Sequence, residues 1–249
     1  MNVFDIFSLV SDYLDSLKSV ELVSHKWYDF STEYKADRYD CHINKYWTRF
    51  LYCNILFDVI YFDRVTWLDC CDSELTWIPY LPNCIFLDCS YNELTYLPDL
   101  PNCKELHCSD NELTRLPNLP KCKKLICADN EIDHLPNLLN CLILNCSGNV
   151  LLLLPDLPNC EELICYDNIL TCLPNLSNCK KLICYDNELE LLPSLSICLE
   201  LDCHENFLIR LPDLPNCVIL YCNSNSLTQL PNLPNCTKLE HHDNNLTQS

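Results

Sequence analysis

Glycine is almost absent from this chain: Gly148 is the only one in 249 residues, and Ala36 and Ala128 are the only alanines. Without glycine clusters there is no phosphate-cradling loop of the P-loop or dinucleotide-binding kind, and nucleotide enzymes of those classes drop out. Positive charge is scarce too. Sixteen Lys and Arg face 35 Asp and Glu, a formal charge of −19, which repels nucleic-acid phosphates and anionic membrane surfaces alike, so neither is expected as a partner. Long apolar runs are missing: the stretch 150–154 ends at a proline, far short of a membrane span. The start, residues 1–10, has no basic stretch, carries Asp5 among its apolar residues and shows no small-residue cleavage site, so no secretory leader is expected. These absences point to an intracellular chain, cytoplasmic or nuclear, in a reducing setting.

Cysteine, by contrast, is abundant, with 22 residues. No C-x-x-C pair occurs, which argues against a zinc site. The spacing explains the cysteines instead. Asparagines at 92, 111, 130, 149, 168, 187, 206, 225 and 244 stand 19 residues apart without insertion, and Ser73 holds the same register one step earlier. The unit is C-x-x-L-x-C-x-x-N-x-L-x-x-L-P-x-L-P-N, as in Cys84, Leu87, Cys89, Asn92, Leu94, Leu97, Pro98, Leu100 and Pro101. Such self-similarity is the signature of a solenoid. Leu-x-Cys has a period of two, which predicts one short strand per coil with Leu and Cys inward. The prolines fix φ and remove amide donors, so the other half of each coil should run extended on the convex side. A lone coil cannot bury enough to offset its ordering entropy, so the coils must stack, with the inward asparagines pairing to backbone groups. Cysteine in the two inward slots then acts as a small hydrophobe.

These residues resemble the leucine-rich-repeat family, whose L-x-x-L-x-L-x-x-N-x-L hallmark appears with cysteine in its first and third leucine slots. The L-P-x-L-P half is similar to the short-repeat subclass of bacterial effectors. The resemblance covers roughly residues 63 to 247 and implies a parallel-strand solenoid that binds proteins on its concave face.

Before the repeats the period changes. Ile6, Val10, Tyr13, Leu14, Leu17, Val20, Val23, Trp27 and Phe30 recur every three to four residues, one face of two or three short helices. The order Ile6, Val10, Tyr13-Leu14, Val20 and Val23-Ser24-His25-Lys26-Trp27-Tyr28 is similar to the F-box motif over residues 2–31, with Asn2-Val3 standing where the family has Leu-Pro. This resemblance implies docking onto the adaptor subunit of a cullin-RING ubiquitin ligase, through Phe4, Phe7, Leu14 and Leu17 in a helix-in-groove contact. The alternative is that the same helices only cap the first coil. The expected layout is α+β: an F-box-like helical segment over 1–45, a linker or cap over 46–62 in which Leu56 and Val59 could form a degenerate coil, and about ten coils over 63–249.

Two features mark the face that could hold a partner. The residue before each Asn is acidic in seven of ten coils, Asp129, Asp167 and Asp186 among them; it reads either as a site for a basic ligand or as a solvated rim. Ile126, Ile164, Tyr166, Ile183 and Tyr185 alternate with the core positions, and an aliphatic and aromatic cluster of this kind commonly anchors a protein partner. The seven histidines are scattered, without a supported nucleophile. No catalytic, metal or cofactor site is expected, and the chain reads as a noncatalytic adaptor.

Overall fold

The computed structural model describes residues 40–42 and 65–247. Eleven three-residue strands form one parallel sheet in chain order: β1 (Asp40–His42), β2 (Trp67–Asp69), β3 (Phe86–Asp88), β4 (Glu105–His107), β5 (Lys124–Ile126), β6 (Ile143–Asn145), β7 (Glu162–Ile164), β8 (Lys181–Ile183), β9 (Glu200–Asp202), β10 (Ile219–Tyr221) and β11 (Lys238–Glu240). From β2 onward each strand pairs in register with the residue 19 positions later, as Leu125↔Leu144 and Leu163↔Leu182. No helix occurs among the described residues. β1 is a departure from the sequence reading. It lies in the stretch assigned to the helical segment, yet Cys41 pairs with Leu68, 27 positions away. The degenerate coil at Leu56 and Val59 lies outside the described residues.

In β2 through β10 the middle residue is a buried leucine, flanked by two half-buried residues on the outer face. Inside, Leu and Cys stack in columns; Cys103, Leu106, Cys108 and Leu113 have no exposed surface, and their equivalents stay buried down to Cys222 and Leu227, whereas in the last coil Leu239 is exposed and Cys236 only half-buried. Why cysteine fills these slots is visible in the hydrogen bonds. The first cysteine of each coil turns its thiol onto the carbonyl of the strand's first residue, as Cys103 to Glu105 at 3.2 Å and Cys160 to Glu162 at 3.2 Å. A leucine there could not donate, and a serine would bring a more strongly hydrated group into the core. Within residues 65–247 no disulfide joins these thiols.

The asparagines form the expected ladder. Asn168 Nδ2 donates to the carbonyls of Cys146, Cys165 and Tyr166, while its Oδ1 accepts the amide of Leu151 in the coil before. Ser73 takes the slot at the start of the series, its amide donating to Asn92 Oδ1 at 3.1 Å. Among the described residues no buried polar side-chain atom lacks a partner.

The proline half carries a second ladder. The asparagine that closes this half donates to the carbonyl 20 residues back, as Asn102 to Pro82 at 2.7 Å and Asn178, behind Ser177, to Pro158 at 2.7 Å. Where lysine replaces it at 121, the ammonium instead reaches Asn102 Oδ1 at 2.6 Å. This half is neither helix nor strand, as fixed φ angles and missing donors dictate.

Candidate functional site

Four outward positions per coil make up the strand face: the first and third strand residues, the residue after the second cysteine, and the residue before the asparagine. Because every pairing is in register, each position forms a column across the stack. In the third column, Tyr166 and Tyr185 stack with ring centroids 4.5 Å apart and planes within 5°, and His204 extends the pile on Tyr185 at 4.4 Å. His204 Nδ1 hydrogen-bonds Asp202. Beside the pile in the second column stand Ile164 and Ile183, paired across β7 and β8. The structure therefore brings Ile164, Tyr166, Ile183 and Tyr185 into one half-buried patch. Ile126 is separated from it by Asn145 of β6, whose side chain folds back onto Ser147.

A second ring group, which the sequence reading passed over, lies at the other end. Trp67 and Phe86 stack at 4.7 Å within 8°, and His107 meets Phe86 edge-on at 5.5 Å. His107 also touches Glu105 at 3.0 Å and Asp88 at 3.5 Å. The signal was available: two aromatic residues at the same repeat position in adjacent coils.

The acidic column has a cause in the backbone. Asp72, Asp110, Asp129, Asp167, Asp186, Glu205 and Asp243 all have φ near +50°, the left-handed region, as do Tyr91 and Ser224; Gly148 occupies the same slot at φ +60°. Aspartate enters this conformation more readily than most residues and glycine most readily of all. The slot thus favours Asp whether or not a ligand is bound, so the backbone alone accounts for Asp129, Asp167 and Asp186 at this position. Gly148 is also where a side chain would collide with the Asp129 carboxylate. Burial and then the like charges of Asp110 and Asp167 push the Asp129 carboxyl above the usual range: this rim carries uncompensated negative charge.

Charge is unevenly distributed over the four columns. On β2–β4 and the residues that follow them, the four columns hold Asp69, Asp72, Asp88, Glu105 and Asp110 and neither Lys nor Arg; on β5 and β6 they hold only Lys124 and Asp129; on β7–β9 they hold Glu162, Asp167, Asp186, Glu200, Asp202 and Glu205 with one Lys181. Lys124 reaches across to Glu105 at 2.7 Å, and Lys181 lies 3.7 Å from both Glu162 and Glu200. Burial raises the Asp88 carboxyl, but hydrogen bonds from His107 and Ser90 outweigh it; burial likewise opposes, and Lys124 overcomes, the shift at Glu105, so both are held below their usual values and stay ionised.

No family model matches the chain, and no curated protein does. Among solved structures it is similar to YopM from Yersinia enterocolitica, with 32% identity and a TM-score of 0.62 over 75% of this chain and 48% of that one. The chain thus spans about half the length of that protein. It is also similar to YopM of Yersinia pestis, described as a leucine-rich effector protein, with 23% identity and a TM-score of 0.50 over 74% of this chain and 73% of that one. The fold is the leucine-rich-repeat solenoid.

Phe4, Phe7, Leu14 and Leu17 lie outside the described residues. No helix among the described residues is long and apolar enough to cross a membrane, and no group of three or more His, Cys, Asp or Glu there could hold a metal ion.

Proposed function

We propose that the chain is a noncatalytic protein-interaction adaptor whose strand face holds a recruited protein and whose N-terminal segment docks onto the adaptor subunit of a cullin-RING ubiquitin ligase. The observation that carries the first half is the Tyr166–Tyr185–His204 pile beside Ile164 and Ile183. Rings and branched aliphatic groups left half-buried on a rigid sheet face supply contact area at low entropic cost, as interface anchors do. Likeness to a leucine-rich effector protein supports a binding scaffold. The second half rests on the F-box resemblance of residues 2–31. A scaffold without a ligase connection is the alternative, and differs only in that segment.

Pull-down of the purified ligase adaptor by the full chain tests the second half. Capture should be lost on changing Phe7 and Leu14 to Asp; failure of the unaltered, folded chain to bind removes the ligase role and leaves the scaffold. For the strand face, Tyr166→Ala with Tyr185→Ala should abolish retention of the partner that the unaltered chain captures, at nearly unchanged melting temperature. Undiminished retention excludes the patch.

A further inference from the structure

The two ring groups coincide with the two acidic stretches of the strand face, and the coils between them carry neither. Trp67, Phe86 and His107 sit among the carboxylates of β2–β4, and Tyr166, Tyr185 and His204 among those of β7–β9, whereas β5 and β6 present one lysine, one aspartate and otherwise uncharged side chains. Within each pile the rings cover one another's inner faces, so a cation meets the outer face of an end ring, where the quadrupole and the neighbouring carboxylates both attract it. The molecule already shows this contact once within itself: Lys238 Nζ stands 4.7 Å from the ring centroid of Tyr221 on the same face. Apolar partners would gain from the rings but would desolvate carboxylates that outnumber the lysines and histidines set against them, at a cost the rings do not offset.

We infer that the strand face takes a protein segment bearing two clusters of Lys or Arg, one seated at each ring group, joined by a neutral spacer. The spacing follows from the stack. From β3 to β8 there are five strand-to-strand steps of about 4.8 Å, or about 24 Å, which an extended chain crosses in about seven residues. This rests on the strand face being the partner surface and adds the partner's chemistry to it. The Asp88 and Glu105 carboxyls, held ionised, support it.

The test is fluorescence anisotropy with the full chain and synthetic peptides: two Arg-Lys-Arg clusters joined by seven Ser and Asn residues, the same clusters joined by two, and one cluster alone. The seven-residue spacer should bind about tenfold or more tighter than either control, because the second cluster then binds at high effective concentration. That advantage should shrink in salt. Tyr166→Ala with Tyr185→Ala should reduce it to the single-cluster level. So should Asp167→Asn with Asp186→Asn, which keeps a side chain that tolerates the left-handed backbone, and so leaves the fold intact. Equal binding of the three peptides, or indifference to both double variants, overturns the inference. If these peptides fail while a partner without basic clusters is lost on changing Tyr166 and Tyr185, the inference falls and the strand-face reading stands.

Discussion

A single asparagine per coil fastens three stretches of backbone. Asn168 makes four hydrogen bonds, to its own coil and to the one before. Its replacement by alanine strands those backbone groups in a site where water does not reach. With about 1 to 3 kcal/mol for each unsatisfied buried group, Asn168→Ala should lower unfolding free energy by about 3 kcal/mol or more, measured by urea denaturation. Loss below 1 kcal/mol would mean that water replaces the amide. The residue scale also shows where sequence reading stops short. The acidic column was visible as charge, but a run of aspartates does not announce a positive φ, and only the backbone shows that Tyr91, Gly148 and Ser224 share the conformation of that column.

Each coil from Cys84 to Cys222 sets two thiols into the core, and their protonation is tied to folding. Burial raises Cys141 and Cys179 from 9.0 to about 11 and Cys103 to about 12, with Cys89, Cys108 and Cys127 pushed well above the ordinary value. A folded value above the unfolded one gives stability that is whole below the unfolded value and lost as pH rises toward the folded one. Each such thiol therefore costs about 1.4 kcal/mol per pH unit beyond about 9, and with many acting together the chain should unfold cooperatively between about pH 9 and 11. Circular dichroism during alkaline titration checks this; a folded chain at pH 11.5 would contradict the burial of the columns. At the level of the coil, the register, the strand and the inward slots were all legible, since a period of 19 with Leu-x-Cys admits few structures. The L-P-N asparagine ladder went unread because its donors meet carbonyls of the preceding coil, a contact that no local pattern encodes. β1 was missed for the same reason: Asp40-Cys41-His42 has no Leu-x-Cys pattern, and 27 residues separate it from its partner.

At the scale of the molecule, each described strand packs chiefly against its neighbours in the stack, so stability should scale with coil number. Excising residues 113–131, one full period, should leave a cooperatively folding chain of lower melting temperature. Excising ten residues from the same place should destroy cooperative unfolding, since Asn, Leu and Cys would no longer meet their counterparts. Equal behaviour of the two deletions would refute the register. At this scale the sequence revealed the stack, while the placement of ring groups and charge along it emerged only once columns replaced lines of text. The constant coil length has an evolutionary corollary. Unequal recombination between neighbouring repeats inserts or removes whole periods without disturbing the rest, so the gap between the two ring groups is adjustable only in quantised steps of one strand spacing. The strand face is in effect a ruler with fixed graduations, and a partner that follows it through evolution must lengthen or shorten its own spacer by one or two residues at a time.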